Sequence, residues 1–556
     1  MKVTESEGEA EGVTVTVSVR ECIQVISTLL KEIPSMESFK GKWSLIAATL
    51  TNLQTHLSDS DFPASNPLTI DLLRSLSQTL QQALSLGQHC HSPNPPNGKL
   101  KTQSDLHSLL DNLNRHLNDS TILSRTHTDN QAALSTNPRD SLRSQSRNLI
   151  TRLQIGTPDS RNSAMDSLLS LLHEDDKNVV IAVAQGVVPV LVRTLDHSTS
   201  SEPKEKAVAA IARISTIDTS KPVLAAEGLL LLNHLLRVLD SGSGFAKEKA
   251  CIALQALSYS KENARAIGSR GGISSLLEIC QAGTPGSQAS AAGVLRNLSR
   301  FAEIKENLVE ENAVFVLLGL ASSGTALAQE NAIACLCGLI SEDQSLKLSV
   351  VREGGLETLK NFWESGRSPE VAIDFLGHLA SCSRVADVVV SDGFVVPRLV
   401  GALGSGVMAV RVAAGRAVYG MCLESAKARK ELGECGGVSP LIKMLVDGKS
   451  AEEKEAGAKA LSVMLMHAGN RRVFGKDERG IVSAVQLLNP SVVGLDKRYP
   501  VALLELLVHS KKCKKQMVAA GACVYTQKLV EMDVHGANKL LESLGRAKIW
   551  GVFARP

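Results

Sequence analysis

A chain of 556 residues is longer than one hydrophobic core supports, so it holds either several domains or one repeat array. Hydrophobic residues make up 44% and aromatics only 3%, leaving Leu, Ala and Val to build the core and arguing against a sheet-rich enzyme. Sixty basic and 57 acidic residues leave a net charge of +3, which sets no overall electrostatic demand for nucleic acid or an anionic membrane.

In chain order, residues 1–12 (MKVTESEGEAEG) read as an acidic disordered start without signal-peptide character. Residues 13–127 carry four amphipathic patterns of roughly 16–20 residues: VSVRECIQVISTLLKEI, KGKWSLIAATLTNLQTHL, PLTIDLLRSLSQTLQQALSL and KTQSDLHSLLDNLNRHLNDS. With short connections they predict an antiparallel four-helix bundle. His89, Cys90 and His91 resemble a metal tract, but they fall in QHCHSPNPPNG and read as an exposed linker with no complementary ligands. Residues 128–144 are polar and are expected to join the bundle to the longer C-terminal part of the chain.

Over 145–535 one pattern recurs: a short apolar segment, a glycine corner, then a Leu-rich helix. It is seen in VAQGVVPVLV, SRGGISSLLEI, REGGLETL and ECGGVSPLIKML. The corner positions are 186, 228, 272, 313, 355, 394, 437, 480 and 521, at intervals between 39 and 44, with Ala313 in place of glycine in one copy and Phe394, just after Gly393, at the register position of another. A period of that size with two or three helices per unit predicts a helical solenoid. Each unit reads as a first helix ending at the corner, a second with proline near its start (Pro189, Pro397, Pro440), and an alanine-rich third. Residues 536–556 complete the chain as a basic amphipathic helix or tail, preceded by the lysines of HSKKCKKQ.

The three-helix order, the corner G-G-[IVL]-x-x-L and the run from Ala292 to Ser299 (AGVLRNLS) resemble the armadillo consensus. The resemblance implies about nine repeats in a right-handed superhelix whose third helices line a concave groove. Residues 31–43 (KEIPSMESFKGKW), the third bundle pattern and GKLKTQSDLHSLLDNLNRHL resemble the helical domain that precedes the U-box in plant armadillo-repeat ubiquitin ligases. The segment GANKLLESLGRAKIWGVFARP resembles the basic helix that ends those proteins. The resemblance departs where it matters for activity. The bundle ends near 122 and the repeats begin near 145, leaving no room for a U-box. Ligase activity is therefore not carried over, and the chain looks like a U-box-less plant armadillo protein.

No nucleotide-binding, hydrolase or zinc-protease motif occurs. The chain is expected to be a non-catalytic scaffold without cofactor or metal. Asp175 and Asp176 read as a solvated turn, and the eleven unpaired cysteines as buried thiols. Nuclear import receptors, which resemble this fold, grip basic peptides with Trp-x-x-x-Asn on successive third helices. Here only Asn297 holds the asparagine column and no tryptophan holds the other, so that role is disfavoured. Arg213, Arg296, Asn297, Asn331, His378, Arg416 and Tyr419 lie on or beside third-helix positions that could face the groove, and several positive groups suit an extended acidic partner. The partners expected are extended or disordered segments of other proteins, not nucleic acid. No segment is long and apolar enough to span a membrane, since Asn233, His234 and Arg237 interrupt LLLLNHLLRVL; peripheral association stays open. Two alternatives remain: an adaptor in ubiquitin signalling that borrows a ligase, and a membrane-tethering protein like the vacuolar armadillo proteins. The expected location is the cytoplasm, with the nucleus as a second compartment.

Overall fold

The computed structural model describes residues 6–59, 67–92, 98–131, 138–197, 201–366 and 369–545. Among them helices are connected by turns and no strand occurs. The chain divides into two compact units, Met1–Leu257 and Ser258–Pro556.

The first unit opens with α1 (Ser6–Glu32), α2 (Lys40–Asp59), α3 (Pro67–Cys90) and α4 (Lys99–Gln131). Helix α1 thus begins inside the stretch expected to be disordered, while residues 1–5 lie outside the described residues. The four run 27, 20, 24 and 33 residues, mostly longer than their patterns suggested. Cys22, Ile26, Leu29, Trp43, Ile46, Leu50, Leu76, Leu80, Leu106 and Leu113 share one core. Their spacing keeps each apolar stripe on one helix face, and a fully buried Leu contributes about 2 kcal/mol. The expectation for the histidine–cysteine tract changes here. Cys90 is buried at the end of α3, where its carbonyl accepts from Glu37 N at 3.1 Å, Ser38 N at 3.2 Å and Ser38 Oγ at 3.1 Å. The last turn of α3 is thereby held against the α1–α2 connection, and residues 93–97 of the expected loop lie outside the described residues.

Next come α5 (Pro138–Ile155) and α6 (Pro158–Glu174), which pack on each other. Helix therefore occupies both ends of the expected linker, and 132–137 lie outside the described residues. Two triplets complete the unit: α7 (Asp176–Ala184), α8 (Val187–His197) and α9 (Ser201–Ser215), then α10 (Lys221–Ala226), α11 (Gly228–Ser241) and α12 (Gly244–Leu257). Asp175 caps α7, accepting from Lys177 N at 3.0 Å.

The second unit repeats the triplet seven times. The first three are α13 (Lys261–Ser269), α14 (Gly272–Ala282) and α15 (Pro285–Leu298); α16 (Ala302–Glu310), α17 (Ala313–Ser323) and α18 (Ala326–Ile340); α19 (Gln344–Arg352), α20 (Gly355–Glu364) and α21 (Pro369–Leu379). Then come α22 (Ser383–Ser391), α23 (Val395–Leu403) and α24 (Met408–Glu424); α25 (Ala426–Glu434), α26 (Val438–Asp447) and α27 (Ala451–Met464). The last two are α28 (Ala468–Phe474), α29 (Glu478–Gln486) and α30 (Arg498–Leu507), with α31 (Lys511–Ala519), α32 (Ala522–Glu531) and α33 (Ala537–Leu544). Ser260, Ser425 and Ser510 cap the short first helices by accepting from the amides of Asn263, Ala428 and Cys513. Each such cap contributes about 1 kcal/mol.

The corner between first and second helices is sharper than the sequence pattern implied. At REGGLETL the left-handed residue is Gly354, with φ +95°, and Gly355 opens the second helix. In the copy where Ala313 stood in the glycine column, the left-handed position is the preceding Asn312, with φ 57°. Asparagine tolerates that conformation better than other non-glycine residues, so the corner survives. Gly480 departs from the rule: it lies within α29, whose start is capped by Asp477 accepting from Gly480 N at 2.9 Å.

No single helix among the described residues is long and apolar enough to cross a membrane. Two bent pairs pass by length and composition, at angles of 80° and 99°. Both are first-helix to second-helix corners of repeats, where hydrophobicity serves packing.

Candidate functional site

The third helices are spaced by small residues. A Cβ added to Gly415 would lie 3.2 Å from Ala456 Cβ, and one on Gly377 would lie 3.3 Å from Ala417 Cα. Helices α21, α24 and α27 can therefore approach closely, which brings the side chains on their outer face into register across repeats. Thr284, Thr325 and Ser450 cap α15, α18 and α27.

The structure separates the seven residues expected on this face. Arg213 is a strut: Nε donates to Leu172 O at 2.9 Å, Nη1 to Thr216 Oγ1 at 2.9 Å and Nη2 to Asp176 Oδ1 at 2.6 Å. Its donors tie α9 to the α6–α7 corner, so its charge is spent within the chain. Asn297 and Asn331 do not face outward. Asn297 is buried and donates to Ser258 Oγ at 2.9 Å; Asn331 is buried and donates to Ala289 O at 3.0 Å. Both satisfy polar groups between repeats, where an unmet donor would cost about 1–3 kcal/mol.

The other four also reach solvent at least in part. Arg296 is exposed and donates from Nη1 to Asn331 Oδ1 at 3.3 Å. His378 is half-buried, and burial holds its pKa below the usual value against the opposing charge of Asp374 one turn earlier. Arg416 is exposed but pairs with Glu452 at 2.6 Å. Tyr419 meets Tyr499 edge-on, with centroids 6.0 Å apart and an interplanar angle of 76°.

Beside those two rings lies a side chain that sequence reasoning passed over. Lys459 Nζ is 4.6 Å from the Tyr419 centroid and 5.1 Å from that of Tyr499. The three residues come from α24, α27 and α30 and stand 40 residues apart at each step, so the repeat period carried the signal. Cation–π attraction of this kind is worth about 0.5–2 kcal/mol per ring, depending on exposure. An ammonium resting against both rings leaves N–H donors for a carbonyl or carboxylate, and the cation in this contact is the chain's own. That geometry reverses the import-receptor arrangement, in which the rings await a lysine from outside.

A buried pair underlies the row. Arg411 donates from Nε to Glu453 Oε1 at 2.7 Å and from Nη1 to Ser405 O at 2.7 Å, while Glu453 Oε2 accepts from Lys449 N at 3.1 Å. Glu453 is 2% exposed, and these bonds satisfy its charge. A separate cleft of about 610 Å³ lies on the second-helix side, lined by Leu277, Glu278, Glu311, Phe315 and Glu353.

Two third-helix thiols are held away from nucleophilic chemistry. Burial pushes the thiols of Cys335 and Cys422 up to about 12, holding them protonated. Cys435 differs from the expected buried thiols in being exposed at the α25–α26 corner. Among the described residues no group of three or more His, Cys, Asp or Glu side chains is placed to hold a metal ion.

Residues 20–128 match a family described as a domain of unknown function (DUF7032). No curated protein matches the chain in sequence. A crystal structure of an engineered protein is 25% identical, covers 72% of this chain and 98% of its own, and has a TM-score of 0.63. A structure describing a phosphorylation switch that controls the interaction between cadherin and β-catenin is 19% identical over 85% of this chain and 97% of its own, with a TM-score of 0.60. A computationally designed armadillo repeat protein for modular peptide recognition is 21% identical over 42% of this chain and 97% of its own, with a TM-score of 0.38. The recurring triplets and the likeness in fold show that the chain has an all-helical, armadillo-type repeat fold.

Proposed function

We propose that the chain is a non-catalytic scaffold that binds extended segments of other proteins along the third-helix face. The carrying observation is the Tyr419–Lys459–Tyr499 row, which places an ammonium and two aromatic edges across three successive repeats. Such a row suits a segment whose backbone carbonyls or carboxylates meet Lys459 while its apolar side chains rest on the rings. Arg296, His378 and Arg416 extend the polar rim of the same face, and the exposed Arg416–Glu452 pair can exchange its partner at little cost.

The test is proximity labelling of partners by the wild-type chain and by Lys459→Glu/Tyr499→Ala. The reading expects a defined set of partners lost from the variant while its helical content is kept and its unfolding stays cooperative. An unchanged set would sink it.

A second reading, an adaptor in ubiquitin signalling that recruits a separate ligase, is supported by the order of a helical domain over 20–128 followed by repeats. The plant, U-box-less kinship belongs to that reading. So does the division into bundle (13–127), linker (128–144), repeats (145–535) and basic tail (536–556). Arg546, Lys548 and Trp550 of the tail lie outside the described residues. A cytoplasmic location with access to the nucleus accompanies both readings.

A further inference from the structure

The first helices of the last three repeats carry a feature that the third-helix reading does not use. Counted from their N-caps Ser425, His467 and Ser510, helices α25, α28 and α31 align residue for residue. The third position (Ala428, Asn470, Cys513) and the seventh (Leu432, Phe474, Met517) are buried in all three. The fifth position is exposed in each and reads Lys430, Arg472, Lys515. In earlier repeats of this unit the same position holds Glu306, Leu348 and Asp387, or Arg265 already paired with Glu303 at 2.7 Å. The cationic column therefore begins at α25.

Neighbouring residues widen it into a patch. Lys476, Arg479 and Lys511 are exposed beside the column. Among the described residues Arg472, Lys476, Arg479, Lys511 and Lys515 make no ion pair. Three of the nearby carboxylates have partners of their own, and Glu431 on α25 stands beside Lys430. Glu434 takes Lys430 at 3.8 Å, Asp477 caps α29, and Glu478 takes Lys512 at 3.6 Å and Gln516 Nε2 at 2.7 Å. The elements sit side by side, since a Cβ on Gly475 at the end of α28 would lie 3.1 Å from Cys513 Sγ of α31. Val473 and Val518, on two of these helices, are 43% and 45% exposed.

We propose that this first-helix face is a docking surface for an anionic lipid bilayer. The cations spread both along the helices and across the repeats, at about 10 Å from one helix to the next. That footprint is an area, matching a plane of headgroups, whereas an extended acidic segment follows a single line. Exposed valines among the cations add shallow apolar contact at the headgroup boundary. Each lysine or arginine near an anionic surface strengthens binding roughly fivefold, so five uncompensated cations give reversible attachment. The proposal stands apart from the third-helix face, because Lys459, Tyr419 and Tyr499 contribute nothing to it.

The experiment is co-sedimentation of the full chain with vesicles of phosphatidylcholine alone and with 30% phosphatidylserine, at low salt and at 0.5 M salt. Binding is expected only to the phosphatidylserine vesicles and is expected to vanish at 0.5 M, where screening shortens to a few Å. Arg472→Glu/Lys515→Glu should weaken it about 25-fold or more, while a charge-matched reversal elsewhere, Arg193→Glu/Arg352→Glu, should retain it. Circular dichroism checks that both variants stay helical. Equal binding to both vesicle types, an unaffected Arg472→Glu/Lys515→Glu, or equal loss in the control pair overturns the proposal. Binding to poly-glutamate with none to vesicles also overturns it and assigns the face to an acidic protein segment.

Discussion

At the scale of the residue, the two glycines of the fifth corner do different work. Gly354 takes the left-handed conformation, which a side chain would strain by about 1–2 kcal/mol. Gly355 is in the helix, but a Cβ there would lie 2.6 Å from Val350 Cγ1 and 2.7 Å from Val350 O. Backbone oxygen cannot give way cheaply, so Gly355→Ala is expected to destabilise by about 1–3 kcal/mol. Gly319, inside α17 with nothing within 4 Å of its Cβ position, is the contrasting case. There Gly319→Ala should stabilise by about 0.5–1 kcal/mol. Urea midpoints of the two variants should move in opposite directions, and a shared direction would refute the assignment of the corner. The repeat was legible because the corner punishes most residues other than glycine, with Asn312 the tolerated exception. Which glycine bends the chain was not legible, since adjacent glycines look alike until φ is known.

At the scale of the element, polar residues inside the bundle set how helices α3 and α4 respond to pH. His116 of α4 is buried, and its Nε2 lies 3.0 Å from Thr79 Oγ1 of α3. Its Nδ1 is buried without a hydrogen-bond partner among the described residues. Burial, aided by the Arg115 charge, pushes its pKa down to about 4. A folded pKa below the unfolded value means that stability is full above about pH 6.5 and falls as pH drops toward 4. Asp119, one turn on, runs the other way: burial lifts it to about 6 against Arg161 and Arg115, so it recovers stability as pH falls from 6 to 4. His116→Gln keeps a partner for Thr79 without titrating. Thermal melts at pH 8 and pH 5 should show the variant gaining about 2 kcal/mol relative to wild type at the lower pH. A gap independent of pH would remove His116 from the balance. The candidate face shows the same division between readable and hidden. Tyr419, Lys459 and Tyr499 recur at the period and could be lined up from sequence. Asn297 and Asn331 could not be placed, because a helical residue beside the packing stripe turns inward or outward according to the neighbouring helix.

At the scale of the whole molecule, the chain spends several third-helix arginines on itself. Arg213, Arg411 and Arg416 each meet a carboxylate from another helix. A sequence count of basic groups therefore overstated what the third-helix face offers an acidic partner. A cluster of uncompensated cations lies instead on and beside the first helices of the last repeats. This distribution bears on the adaptor reading, since no segment between α4 and α5 could house a ligase module. Incubating the purified chain with a ubiquitin-activating enzyme and a panel of conjugating enzymes is expected to yield no ubiquitin chains unless a ligase is added. Chains formed without one would show intrinsic ligase activity and overturn the non-catalytic reading.

Sequence by itself determined the repeat, its period, its three-helix order and its corners. These depend on local backbone limits and on the spacing of apolar side chains, both written residue by residue. Tertiary structure decided which polar groups are consumed and which are left over. Asp176 and Arg213 are 37 residues apart and Lys459 stands 40 from each of its two rings, and in each case the partner is supplied only when a neighbouring repeat packs alongside. Charge compensation acts over a few Å in space regardless of distance along the chain, so composition could count the cations but only packing could show where they remain unpaired.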